Sequence, residues 1–67
     1  MNEDIDQMDY ETAVAALEQT VEQLGRGQED LGASVIAYER GLLLARRCSQ
    51  LLRDAERRLG LGAGKAP

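Results

Sequence analysis

Residues 31–59 read LGASVIAYERGLLLARRCSQLLRDAERRL, and the fold turns on how this stretch is read. Apolar side chains recur at Leu31, Val35, Tyr38, Gly41 or Leu42, Ala45, Cys48, Leu52, Ala55 and Leu59. Steps of three and four residues sustained this far are the signature of one helix face, and no proline interrupts them. The spacing predicts a helix over about 31–59, with Asp30 as its N-cap and Gly32 as a weak early position. Gly60-Leu61-Gly62-Ala63-Gly64-Lys65-Ala66-Pro67 follows, so 60–67 reads as a flexible tail.

Working back from there, Tyr10, Val14, Leu17, Val21 and Leu24 are spaced 4, 3, 4, 3, a heptad seam on an earlier helix over about 10–24. Ala13 and Ala16 widen that face. Asp9 can cap the helix through its carboxylate, and Glu11 suits the positive end of its dipole. Gly25-Arg26-Gly27 can take the left-handed conformation that ends a helix. Residues 1–8 are acidic and read as disordered, which leaves 9–59 as the folded unit.

The short polar link from Gly25 to Asp30 makes the two helices antiparallel neighbours. The fold class is all-α: an antiparallel two-helix hairpin, coiled-coil-like, with a long second helix that oligomerises or docks on a partner. Register opposes Leu24 to Leu31, Val21 to Val35, Leu17 to Tyr38, Val14 to Gly41 or Leu42, and Tyr10 to Ala45. At about 1.5 Å per residue the first helix spans about 22 Å and the second about 43 Å. Residues 46–59 then lack intrachain cover, although they carry Cys48, Leu51, Leu52, Ala55 and Leu59. Leu42, Leu43 and Leu44 are consecutive and point in three directions, so one neighbouring helix cannot cover them all. Each Leu left in water forgoes roughly 1.5–3 kcal/mol. A second chain is expected along this helix.

Composition agrees. A chain of 67 residues buries only roughly 60 % of its unfolded surface and is marginal alone. Cys48 is the single cysteine and there is no histidine, so neither an internal disulfide nor a zinc site is expected. Trp and Phe are absent, and the core must be aliphatic. A lone cysteine fits a reducing compartment. No apolar run approaches the ~18 residues of a membrane span, and the acidic start does not resemble a signal peptide. A cytoplasmic protein with no membrane partner is the expectation. Charge is split along the chain. Residues 1–30 hold nine acids and one base, net −8, and residues 31–67 hold seven bases and three acids, net +4. The halves attract, which favours the hairpin, although exposed pairs contribute little.

Three features invite sharper readings. Gly41 on the inward stripe costs about 1 kcal/mol against Ala in a helix, which points to a close backbone approach where a Cβ would clash. Cys48 lies on the apolar stripe without an activating base and reads as a small buried hydrophobe. Arg46, Arg47, Arg53, Arg57 and Arg58 form a basic set. With no aromatic among them and an overall pI near 4.6, base stacking is unsupported; salt bridges to an acidic partner or phosphate contacts both remain open. The carboxylates Glu11, Glu18, Glu22 and Glu29 read as a solvated helix face. No acid/base pair, phosphate loop or metal cage is present in the sequence.

The run Tyr38-Glu39-Arg40-Gly41-Leu42-Leu43-Leu44-Ala45-Arg46-Arg47-Cys48, with Leu51-Leu52 and Ala55-Glu56, resembles the second helix of the exodeoxyribonuclease VII small subunit family. Tyr10-Glu11, Ala16-Leu17-Glu18, Val21, Leu24 and Gly27 are similar to its first helix and turn. The resemblance covers about residues 9–59. It departs at Gln28-Glu29-Asp30, where a leucine is common near the second position, and at Gly32-Ala33, where acids are usual. These departures bear on the start of the second helix. The resemblance implies a bacterial cytoplasmic complex that cuts single-stranded DNA into acid-soluble oligonucleotides from either end. Catalysis would belong to the large subunit, with small subunits in excess needed for assembly and activity.

On this reading the chain has no catalytic, metal or cofactor-binding residue. Leu44, Cys48, Leu51, Leu52, Ala55 and Leu59 dock onto sister small subunits or the large catalytic subunit. Leu17, Tyr38 and Gly41 make the hairpin contact. Arg46, Arg47, Arg53 and Arg57 are candidates for DNA or an acidic partner, and single-stranded DNA otherwise meets the chain indirectly through the complex. The competing classes are a self-contained homo-oligomeric helical module and an accessory single-stranded-DNA-binding protein.

Overall fold

The computed structural model describes residues 4–28 and 30–60. The expected flexible tail beyond residue 60 and the first three residues lie outside them. Two helices pack side by side, α1 over Tyr10–Arg26 and α2 over Leu31–Leu59, preceded by a 3-10 turn at Ile5–Gln7. Among the described residues there is no strand, and the architecture is the all-α hairpin with a long second arm.

The ends of both helices follow from local chemistry. Asp9 caps α1 by accepting from the Thr12 backbone N–H at 2.9 Å, and Asp30 caps α2 by accepting from the Ala33 N–H at 2.8 Å. Each carboxylate thus takes up one of the amides a helix start leaves without a partner. Hydrogen bonds from Thr12, its side chain first and then its backbone, hold the Asp9 carboxyl below the usual carboxylate range. α1 runs two residues past the expected end at Leu24. Gly25 stays helical and Gly27 takes the left-handed conformation at φ 65°, with its N–H on the Leu24 carbonyl. Gly60 closes α2 in the same way at φ 71°.

The seam is built from small side chains. Ala13 and Thr20 of α1 and Ala37 and Leu44 of α2 are the buried residues. The Thr20 hydroxyl donates to the Ala16 carbonyl at 2.8 Å and accepts from the Arg40 guanidinium, so the buried polar group is satisfied. A Cβ on Gly41 would meet Thr20 Cγ2 at 3.4 Å, ordinary van der Waals contact. Gly41 does mark a helix contact, but the expected clash is absent and an alanine would fit. Its neighbour is Thr20, almost two turns further along α1 than the expected Val14. The seam is therefore not the one the large residues suggest. Tyr10, Val21, Val35, Tyr38 and Leu42 are all about half exposed or more. Small residues win the seam because they let the helix axes approach.

Residues 4–8 correct the expectation of a disordered N-terminus. The Gln7 N–H donates to the Asp4 carbonyl at 3.0 Å and the Met8 N–H to the Ile5 carbonyl at 3.1 Å. Arg47 then fastens the turn to α2, donating from Nε and Nη2 to the Met8 carbonyl, both at 3.0 Å.

Candidate docking face

The long arm of the hairpin carries more apolar surface than the short arm covers. Leu44, expected at the docking face, is 0 % exposed inside the hairpin. It points along the Ala37–Leu44 line that α1 covers and so belongs to the intrachain core. Cys48 and Leu51, one and two turns on, are half-buried beside it. Cover runs out after that. Leu52 is 49 % and Leu59 70 % exposed, and Ala55 is exposed too. Their spacing of three and four residues places Leu52, Ala55 and Leu59 on one side of the helix.

The hairpin residues divide similarly. Gly41 lies in the contact and Leu17 is half-buried, whereas Tyr38, at 57 % exposure, stands outside the seam. The cause is helical geometry: Tyr38 is the residue after the buried Ala37 and is turned about 100° from it.

The stripe of α2 that the large-residue pattern assigned to the seam is outward. Leu31, Val35, Tyr38 and Leu42 form an exposed stripe on the first half of α2, and Ile36 and Leu43 stand exposed on another side. Ile36 is the residue the sequence reading passed over. The signal was there: Val35 and Ile36 are adjacent and cannot enter one seam together.

Arg47 donates from Nε and Nη2 to the Met8 carbonyl. Arg46 and Arg47 together line a shallow cleft with Asp4, Ile5, Asp6, Leu43 and Gln50. Arg57 pairs with Asp54 at 3.5 Å on an exposed surface, and Arg53 is exposed nearby. The Arg26–Glu22 pair at 3.9 Å is likewise exposed and within one helix, and such pairs contribute little. Among the described residues no group of three or more His, Cys, Asp or Glu side chains could hold a metal ion, and no helix is long and apolar enough to cross a membrane.

These features define a class: a helical hairpin with a close seam of small residues and a long arm that presents leucines to its surroundings. Comparison with known proteins narrows the class. The family model described as the exonuclease VII small subunit matches residues 10–60. A Ruegeria protein named exodeoxyribonuclease 7 small subunit is 44 % identical over 55 residues, covering 82 % of this chain and 68 % of the relative. A protein of the same name from Rhodopseudomonas palustris is 46 % identical over 56 residues, 84 % of this chain and 69 % of its own length. Another from a Bradyrhizobium species is 40 % identical over 72 residues, 96 % of this chain and 87 % of its own. No solved structure matches. The chain belongs to the exonuclease VII small subunit family.

Proposed function

We propose that this chain is the non-catalytic subunit of a bacterial, cytoplasmic exonuclease VII complex. It would pack the far end of α2 onto a large subunit that carries out the hydrolysis of single-stranded DNA to oligonucleotides. The observation that carries this reading is the loss of cover after Leu51. Leu52, Ala55 and Leu59 lie exposed on one side of a helix that continues for two turns beyond its companion. A partner that covers them recovers the burial energy the hairpin leaves unused. Single-stranded DNA meets this chain through the complex. A direct arginine grip finds less support, because no aromatic side chain lies among the arginines to stack on bases.

Leu52→Asp tests the docking assignment. The side chain is half exposed in the isolated hairpin, so helical circular dichroism should persist. Burying the new carboxylate against a partner is expensive. Co-purification with a co-expressed large subunit, and nuclease activity on single-stranded DNA, should both be lost. Assembly and activity at wild-type level would show that docking uses another face.

A further inference from the structure

The outward stripe of α2 includes Leu52 and Leu59, the leucines offered to the large subunit, and continues back to Leu31. Leu31, Val35, Tyr38, Leu42, Leu52 and Leu59 are its large members, all about half exposed or more. With Ala45, Ser49 and Glu56 between them the steps are 4, 3, 4, 3 throughout. The large apolar members keep heptad spacing from Leu31 to Leu42 and return at Leu52 and Leu59, with small or polar residues between, on a flank of the 29-residue helix about 100° from the line buried against α1. A strict seven-residue repeat drifts by about 20° per heptad around a straight helix and stays in register only against another helix that winds with it.

We propose that the occupant of this stripe is a second copy of the chain, running antiparallel, so that two hairpins form a four-helix bundle. Charge decides both the partner and the direction. Glu39, Arg46 and Arg53 follow Tyr38, Ala45 and Leu52 and flank the stripe on one edge, while Ser34, Gly41, Cys48 and Ala55 line the other edge without charge. A parallel pair sets the charged edge against the uncharged one, which forms no ion pair, and places Glu56 against Glu56 of the other copy. An antiparallel pair sets charged edge against charged edge. With Leu42 layered on Ala45 of the other copy, Glu39 of each copy meets Arg46 of the other, twice by symmetry. The same register puts Val35 on Leu52 and Tyr38 beside Ser49, whose hydroxyl its phenol can reach. Glu56 falls at the end of the bundle, where water remains. In the chain without a large subunit the late leucines of one copy are thereby covered by the early turns of the other, a cover that docking on the large subunit would replace. Like charges directed at one another, as in the parallel arrangement, select against it.

Sedimentation of the isolated full-length chain tests the pairing, independently of any large subunit. The chain should sediment as a concentration-dependent dimer. Glu39→Arg or Arg46→Glu alone should weaken the dimer roughly tenfold, because two attractive pairs become repulsive. The double variant E39R/R46E should restore it. Glu39, Arg46 and Arg58 are exposed and Cys48 is half-buried, and helical circular dichroism checks that the variants fold. Direction is read from a nitroxide at Arg58→Cys in a Cys48→Ala background. The antiparallel dimer places the two labels roughly 40 Å apart along the bundle, and a parallel one roughly 10 Å apart. A chain that stays monomeric into the millimolar range overturns the proposal. So does a dimer indifferent to the charge reversals, or a short label distance.

Discussion

The inner and outer faces of α2 are made of different materials. The inner face, against α1, offers Ala37, Gly41 and Leu44; the outer face offers Leu31, Val35, Tyr38 and Leu42. Small side chains allow the two helices of one chain to approach and let Arg40 reach Thr20 across the seam. They also bury little. Among the described residues Leu44 is the one large apolar side chain fully enclosed, and it contributes roughly 1.5–3 kcal/mol. The larger reserve of burial energy lies on the outer face. A hairpin built this way closes on geometry and leaves most of its large apolar side chains exposed.

The most direct way to break that contrast is to shorten a leucine on each face. Leu44→Ala opens a cavity in a core that has little else, at a cost of about 2–5 kcal/mol. In a domain this small the isolated chain should lose its cooperative thermal transition at room temperature. Leu42→Ala, two residues away, removes a half-exposed side chain and should shift stability by no more than about 0.5 kcal/mol in dilute monomer. Thermal melts followed at 222 nm compare them. Equal losses would mean that the two faces are not distinct.

The sequence shows where the helices are because each boundary has its own local chemistry. Asp9 and Asp30 cap, Gly27 and Gly60 terminate, and the link is too short for any arrangement but an antiparallel one. It shows less well which stripe faces which. α2 carries two neighbouring apolar stripes, and hydrophobic periodicity alone ranks the one with larger residues first. The choice is made by how closely backbones can approach, a property of Ala13, Thr20, Ala37 and Gly41 that a count of large residues overlooks. Large-residue periodicity accordingly puts Leu44 outside and Tyr38 inside, the reverse of the packing. The exposed end at Leu52 and Leu59 was legible, since it follows from helix length alone. The Arg47–Met8 bond was not, because a backbone carbonyl has no identity in a sequence pattern.

Gly41 sharpens the same contrast with a smaller effect. A Cβ there would sit 3.4 Å from Thr20 Cγ2, so Gly41→Ala keeps the seam and gains the helical preference of alanine, up to about 1 kcal/mol. Gly41→Leu brings atoms that the space beside Thr20 cannot take and should separate the helices. Opposite signs in chemical denaturation are expected for the pair. A destabilised alanine variant would show that the helices approach more closely than this packing.

The smallest effect belongs to the strap at the start of the chain. Arg47 donates two hydrogen bonds to the Met8 carbonyl, and the turn it holds has only the half-buried Ile5 and Met8 as apolar anchors. Arg47→Ala should therefore release the turn without unfolding the helices, since segments with few buried contacts open at little cost. Hydrogen exchange reads this directly: the Gln7 and Met8 amides, bonded to the Asp4 and Ile5 carbonyls, should lose protection while amides of α1 and α2 keep theirs. Arg47→Lys should restore it only in part, because an ammonium cannot reproduce the two-pronged donation of a guanidinium. Protection unchanged in the alanine variant would assign the strap to the packing of Ile5 instead, and the basic residue would again be free to face a partner.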